Sequence, residues 1–212
     1  MKAKMTVLFA MIMLFETAGL AQNRFEIFGD YSYLHFNPTV TGINSRSFNG
    51  GGGGVTLYFL GIFGIKADFM EYGSTTFSKT FPSAVISPGG GIIPAGTYAS
   101  QGDMFTYMAG PVIRIPIPGV KPFGEILFGG SDTNGYVNLT NSIIAAGGAI
   151  SEARTQHPFT MAVGGGLDIS VSKRLSIRPL EADYVLSLYS NPLTSSNSQN
   201  NFRYCGGLVF KF

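Results

Sequence analysis

Along several segments of this chain, charged side chains are separated by an even number of positions, with hydrophobic or small residues between them. A period of two is typical of β-strands, whose successive side chains point to opposite faces. The pattern therefore predicts one charged face on a sheet. The residues of that face are Glu26, Asp30, Lys66, Asp68, Arg114, Glu125, Asp168, Glu181, Asp183, Arg203 and Lys211.

Acids outnumber bases in this set by seven to four, which permits two interpretations. An acid-lined passage would prefer cations. Alternatively, the charges pair with one another and fill a narrow enclosed space, because buried charges need partners. If the strands close into an eight-stranded barrel, the inside is just wide enough for side chains to fill it. This geometry favours the structural interpretation.

Metal or phosphate chemistry has little support in this sequence. The chain has one cysteine, Cys205, which excludes an intramolecular disulfide and a cysteine metal cluster. It has only two histidines, His35 and His157, too few for a histidine-rich site. The glycine runs at 50–54 and 89–91 lack the Lys-Ser/Thr ending and the following helix of a phosphate loop. We therefore predict no metal and no cofactor.

Eight segments carry the strand pattern and would position the charged set. Most of them reach the roughly 9–11 residues that a tilted strand needs to cross a bilayer. The segments are 25–36, 50–59, 63–73, 103–115, 121–130, 159–171, 175–188 and 202–212.

The connections between these strands alternate in length. Those after the second, fourth and sixth strands are short, whereas 37–49, 74–102, 131–158 and 189–201 are long and rich in Ser, Thr, Asn and Gly. Short turns at one end and long loops at the other are typical of outer-membrane barrels. The loops 74–102 and 131–158 carry apolar patches, which would bind a partner or pack on the rim.

The final segment shows the strand pattern most clearly. Phe202, Tyr204, Phe210 and Phe212 share one face, while the opposite face is small or charged. Charged residues form only 12% of the chain, about half the usual share, although 45% is hydrophobic. Strands that are apolar on one face only, with lipid outside and polar groups inside, produce this composition.

The first 21 residues predict a cleaved signal peptide. Lys2 and Lys4 precede an apolar run at 6–15, and small residues at Gly19 and Ala21 form the cleavage site. The run is well short of the roughly 18 apolar residues of a membrane-spanning anchor. Residues 22–212 are then one barrel domain, and a net charge of +2 for the whole chain argues against a nucleic-acid partner.

Five motifs, taken in order, resemble the OmpA/OmpX-type eight-stranded outer-membrane β-barrel superfamily, called the porin family in its broad sense. The motifs are 31–34, 109–114, 164–168, 178–184 and 207–212. The resemblance implies an all-β, antiparallel up-and-down transmembrane barrel in the bacterial outer membrane, exported through the periplasm. It also implies that Gly207, Phe210 and Phe212 form a C-terminal signal for the barrel-assembly machinery.

Some barrels of this size are lipid-modifying enzymes with a histidine and a serine at the outer rim. His35 and His157 lie near predicted strand ends, and Ser32 and Ser131 are possible companions. A nucleophile needs a base within hydrogen-bonding distance and a group that orients this base. No short motif here enforces that arrangement, so we predict no catalytic residue.

The sequence therefore predicts a non-enzymatic membrane scaffold whose loops serve envelope integrity, adhesion or partner binding. Its expected partners are outer-membrane lipid, the assembly machinery through the last strand, and an extracellular partner at loops 74–102 and 131–158. The alternative is a narrow channel for small solutes or cations. A soluble, lipocalin-like barrel ranks third, because the charged interior contradicts a ligand cavity of apolar character.

Overall fold

Eight long antiparallel strands close into a barrel in the computed structural model of this protein, which describes residues 25–37, 45–59, 61–87, 90–150, 157–188 and 198–212. The barrel strands are β1 (Phe25–Phe36), β2 (Arg46–Phe59), β3 (Phe63–Phe81), β6 (Gly96–Arg114), β7 (Val120–Thr133), β8 (Phe159–Ser170), β9 (Leu175–Leu188) and β10 (Ser198–Lys211). Neighbours in sequence pair around the wall, and β10 pairs with β1 to close it. The predicted fold class is confirmed. The predicted signal peptide, 1–21, lies outside the described residues.

Side chains alternate between the inside and the outside of the wall, as the period of two predicts. Glu26 is 1% exposed, whereas the next residue, Ile27, is 41% exposed. Large aromatic and aliphatic side chains cover the outer face all around the barrel, including Phe63, Phe69 and Phe128. The outside is therefore apolar and the charged side chains lie inside, which is the reverse of a soluble protein and suits a lipid environment.

Several strands extend beyond the predicted bounds. β3 continues from 73 to Phe81 and pairs there with the beginning of β6, where Thr80 and Thr97 are joined by a hydroxyl hydrogen bond of 2.9 Å. The prediction of loop structure at 74–81 and 96–102 was therefore wrong. Ser, Thr and Gly suggested a loop, but threonine also favours strands, and here cross-strand pairing decides the outcome.

The loop predicted at 131–158 contains a helix, α1 (Gly135–Ala145), which sequence patterning missed. Leu139 and Ile143 of α1 form a small core with Ile93 and Tyr98, beyond the rim of the barrel, where β6 extends past its neighbour β7. Among the described residues, no helix is both long and apolar enough to cross a membrane.

Hydrogen bonds join α1 to the hairpin of β3 and β6. Ser100 Oγ donates to the Gly135 carbonyl at 2.7 Å, and Asn138 Nδ2 donates to the Gln101 carbonyl at 2.7 Å. We call the unit made of 75–81, 96–102, α1 and the two short strands β4 (Val85–Ile86) and β5 (Ile92–Ile93) the cap. The cap is one folded unit, because parts of both long loops share its core.

The glycine run of β2 makes room for large side chains inside the barrel. A Cβ on Gly52 would lie 2.8 Å from Met70 Sδ, and one on Gly54 would lie 2.6 Å from the Phe28 ring. These distances are too short for any side chain. Because the glycines of β2 have no side chains, side chains from the neighbouring strands β1 and β3 fill the interior there.

Candidate functional site

The eleven predicted charged residues all lie inside the barrel, and none is more than 5% exposed. Seven of the eight barrel strands contribute them, with β2 as the exception. Alternation therefore brings together residues that are far apart in sequence. Most of them form one cluster in the middle of the barrel.

Lys66 of β3 lies in the middle of this cluster. Its Nζ donates to both carboxylate oxygens of Glu125 at 2.9 Å and to Oε2 of Glu181 at 2.8 Å. The ammonium group also lies 4.8 Å from the centre of the Phe28 ring and 5.6 Å from that of Phe123. Carboxylates and aromatic faces together replace the water that this cation has lost.

Arg203 of β10 occupies the side of the cluster toward the loops. Its Nε donates to Oδ2 of Asp183 at 2.8 Å, and its Nη1 donates to Oδ1 of Asp68 at 3.1 Å. Its Nη2 lies 3.5 Å from Oε1 of Glu181. The guanidinium fork thus joins β3, β9 and β10.

Arg178 is the main residue that sequence reasoning missed. Its Nε donates to Oδ1 of Asp168 at 2.9 Å, and its Nη1 lies 3.2 Å from Oδ2 of Asp30 and 2.8 Å from Oε2 of Glu181. Glu181 therefore accepts from all three central cations. The central network, as we name it, comprises Asp30, Lys66, Asp68, Glu125, Asp168, Arg178, Glu181, Asp183 and Arg203.

A β-bulge explains why Arg178 was missed. Glu181 pairs with Cys205, but Arg178 pairs with Gly207, so two residues of β9 face one residue of β10. The extra residue reverses the alternation, and Arg178 and Glu181 both point inward despite their odd separation. Pro179 was the available signal, since proline inside a sheet is confined to edges and bulges.

A second ion pair lies toward the end of the barrel that carries the short turns. Arg114 Nη1 donates to Oε1 of Glu26 at 2.5 Å, and its guanidinium carbon lies 3.7 Å from the centre of the Tyr58 ring. Lys211, in the same region, donates to Ser170 Oγ at 3.0 Å. These contacts place the remaining three predicted lumen residues outside the central network.

Apolar and hydroxyl side chains fill the barrel on the loop side of the central network. Leu127, Ala162 and Val185 pack together with Met108, and hydroxyl groups lie beyond them. Next to Arg203, the described residues enclose a cavity of about 10 Å³. That is about the smallest space that holds one water molecule.

The carboxylates of Glu125, Glu181 and Asp183 have oxygens within 4.8 Å of one another, a spacing that a metal ion could use. Lys66 and Arg203 already donate to these three carboxylates. The ammonium and guanidinium groups thus occupy the positions from which a metal would be coordinated. The geometry is that of a buried salt-bridge network.

The histidines and serines considered for catalysis have other partners. His157 Nδ1 pairs with Asp132 at the exposed rim, while Thr160 donates to Ser131 Oγ inside the barrel at 3.0 Å. Ser32 is also buried, 3.0 Å from the Tyr72 hydroxyl. His35 is half-buried near the end of β1. The structure thus assigns these histidines and serines to different surroundings.

The residues of the predicted C-terminal signal lie where β10 closes the barrel. Gly207 pairs with Asp30 and Phe210 pairs with Ile27, while the Phe212 amide donates to the Phe25 carbonyl at 2.8 Å. A Cβ on Gly207 would lie 2.4 Å from Oδ1 of Asp30. Gly207 therefore makes space for a member of the central network.

No family model matches this chain, and no curated protein matches its sequence. Solved structures do match. Neisserial surface protein A is 11% identical with a TM-score of 0.53, and the match covers 89% of this chain and 97% of that chain. The outer membrane protein OprG from Pseudomonas aeruginosa is 12% identical with a TM-score of 0.56, and the match covers 90% and 96%. At identities this low, the matches show a shared fold alone. That fold is the one that the sequence resemblance implied. This chain has the fold of the eight-stranded outer-membrane β-barrels.

Proposed function

We propose that this protein is an integral barrel of the bacterial outer membrane, and that it is a non-enzymatic scaffold. In this role the barrel anchors the cap and the other loops at the cell surface for envelope integrity, adhesion or partner binding. The observation that carries the proposal is the filled interior, where the buried ion pairs of the central network join strands on different sides of the barrel.

The outer face supports insertion into lipid. Ile65 is 54% exposed and Phe69 is 50% exposed on β3, and Phe128 is 45% exposed on β7. An apolar surface of this extent would aggregate in water, whereas a bilayer solvates it. The predicted signal peptide and C-terminal signal fit export through the periplasm and insertion by the assembly machinery.

The network supports a scaffold over an open pore. Each of the three central cations contacts at least three carboxylates, and these contacts join strands on different sides of the barrel. A hydrated ion needs a continuous aqueous path. To open one, several buried ion pairs would have to separate together, which is unfavourable.

The cap supports partner binding by loops 74–102 and 131–158. It is folded before any partner arrives, so binding loses less conformational entropy than binding by unstructured loops. Ile86 is 78% exposed and Ile92 is 56% exposed on its surface. Among the described residues, 75–81 of β3 pair with β6 only, which leaves backbone groups on the other edge for an extended partner segment.

Conductance of the refolded protein tests this proposal. The chain without residues 1–21 is refolded, shown to be folded by heat-modifiable migration on gels, and added to planar bilayers. We expect insertion without steady conductance. Discrete stable openings would contradict the scaffold, and failure to insert would contradict the membrane assignment.

A narrow channel is the second candidate, favoured by the excess of acids over bases in the central network. If openings occur, the variant with D168N, E181Q and D183N decides the origin of the current. Loss of cation preference would assign the current to the lumen. An unchanged current would assign it to leakage around the protein.

A further inference from the structure

The central network contains more negative than positive groups. Its acids are Asp30, Asp68, Glu125, Asp168, Glu181 and Asp183, and its bases are Lys66, Arg178 and Arg203. All nine side chains are at most 5% exposed. If every acid were ionised, the six acids and three bases would give the network a net charge of −3, which is strongly unfavourable away from water.

Individual oxygen atoms show the same deficit. Asp30 Oδ1, Asp68 Oδ2 and Asp183 Oδ1 are buried and have no hydrogen-bond partner among the described residues. Buried polar atoms without partners are rare in folded proteins. These oxygens point to a missing positive ligand.

Asp183 and Glu125 meet across a glycine. Glu125 of β7 pairs with Gly164 of β8, and Gly164 pairs in turn with Asp183 of β9. A Cβ on Gly164 would lie 2.1 Å from Oδ1 of Asp183, so the unpartnered oxygen occupies the space that a side chain would fill. Carboxylate oxygens of the two residues lie within 4.8 Å of each other.

The other oxygens of this pair are already engaged. Both Glu125 oxygens accept from Lys66, and Asp183 Oδ2 accepts from Arg203. Two neighbouring carboxylates repel each other when both are ionised, and protonation of one of them removes this repulsion. A divalent metal would add charge beside two fixed cations, whereas a proton needs neither space nor further ligands.

We propose that Glu125 and Asp183, which meet over Gly164, form a buried proton-binding site that is occupied at neutral pH in the folded barrel. The neighbouring strands supply the charges that face this pair. They are Lys66 and Asp68 on β3, Arg178 and Glu181 on β9, and Arg203 on β10. Val112 on β6 and Gly164 on β8 bring no charge to it.

The site links proton uptake to folding. Carboxyl groups of the unfolded chain are ionised at neutral pH, so unfolding releases the bound proton. The folding equilibrium constant then falls about tenfold for each pH unit of increase while the folded barrel retains its proton. This consequence is the same whether or not the barrel conducts ions.

Infrared spectroscopy of the refolded protein in detergent micelles tests the proposal directly. At neutral pH, we expect a carbonyl band of a protonated carboxyl group that shifts in deuterated water. D183N and E125Q should each remove it. The matched substitutions D103N and E71Q, at exposed positions of β6 and β3, should leave it in place.

Urea unfolding between neutral and mildly alkaline pH supplies an independent readout. The amide in D183N has the shape of a protonated carboxyl group and carries no charge, so we expect this variant to fold. Its stability should lack the roughly tenfold fall per pH unit that we expect of the wild type. Absence of the infrared band in the folded wild type, or its persistence in both variants, would overturn the proposal. Stability that responds to added calcium rather than to pH would also overturn it.

Discussion

Arg178 on β9 reaches Asp30 on β1 across the intervening strand β10, with Nη1 3.2 Å from Oδ2. The same guanidinium binds Asp168 on the other neighbouring strand, β8. One side chain therefore connects both sides of the seam where the first and last strands meet. The bulge that turns Arg178 inward thus contributes to closure of the barrel.

Replacing Arg178 should destabilise the barrel strongly. R178A leaves Asp30, Asp168 and Glu181 without a shared cation in a buried site. Removing one partner of a buried ion pair costs about 3–5 kcal/mol of unfolding free energy. Urea unfolding in micelles, with the folded fraction read from heat-modifiable migration on gels, measures the loss of unfolding free energy.

The exposed turn residue Arg174 provides the control for R178A. R174A should change the unfolding free energy by less than about 0.5 kcal/mol, as is usual for surface substitutions. Equal stabilities of R178A and the wild type would show that the guanidinium does not hold the network together.

Gly207 should tolerate no side chain, whereas Gly29 on the outer face should tolerate one. In G207A, the new Cβ would meet the Gly29 carbonyl oxygen at 2.0 Å and Asp30 Oδ1 at 2.4 Å, so strands β1 and β10 must move apart. Overpacking of this kind costs about 1–3 kcal/mol. In G29A, the nearest atom would be 3.9 Å from the new Cβ.

The melting temperatures of the two alanine variants, measured by thermal unfolding, test this prediction. G207A should melt at a lower temperature than the wild type, and G29A should melt close to it. If both variants melted alike, the seam between β1 and β10 would be looser than its geometry indicates.

Alternation was sufficient to place regular strands and their side chains. Lys66 and Asp68 point inward because β3 is regular through this region, and the same holds for Arg203 on β10. Alternation failed at Arg178, where one extra residue in β9 reverses the pattern. A proline in the strand was visible in the sequence, but the side of the bulge depends on the pairing with β10.

The partners within the central network could not be predicted from the sequence. Lys66 and Glu181 are 115 positions apart, and their contact depends on how the strands are staggered around the closed barrel. The helix α1 was also missed. Among its side chains that the structure describes, Leu139 and Ile143 belong to the small core of the cap. Apolar residues at 137, 139, 143 and 144 do stand at helical spacing, but one short segment of eleven residues gives only a weak helical signal.

The cap should unfold independently of the barrel. I143A removes a fully buried side chain from the small core shared by α1 and β6, and truncations of this kind cost about 2–5 kcal/mol. Because this core lies beyond the rim of the barrel, we expect faster hydrogen exchange and faster proteolysis in 96–102 and 135–145 of the cap, with unchanged heat-modifiable migration. I86A, at a position that is 78% exposed, serves as the control and should leave exchange unchanged. Loss of barrel migration in I143A would show that cap and barrel fold as one unit.

Deleting Phe212 should impair assembly in cells more than folding in vitro. In the barrel, the Phe212 amide donates one hydrogen bond to the Phe25 carbonyl, and its side chain is 65% exposed, so its removal costs only about 1 kcal/mol of stability. If Phe212 belongs to a signal for the assembly machinery, the level of folded protein in the outer membrane should fall several-fold, while the purified chain still refolds in micelles. F128A removes an outward aromatic side chain from β7 and should leave the cellular level near that of the wild type. Equal losses in cells and in micelles would instead assign Phe212 a structural role at the seam, because a signal that is read by another protein has no effect on refolding of the purified chain.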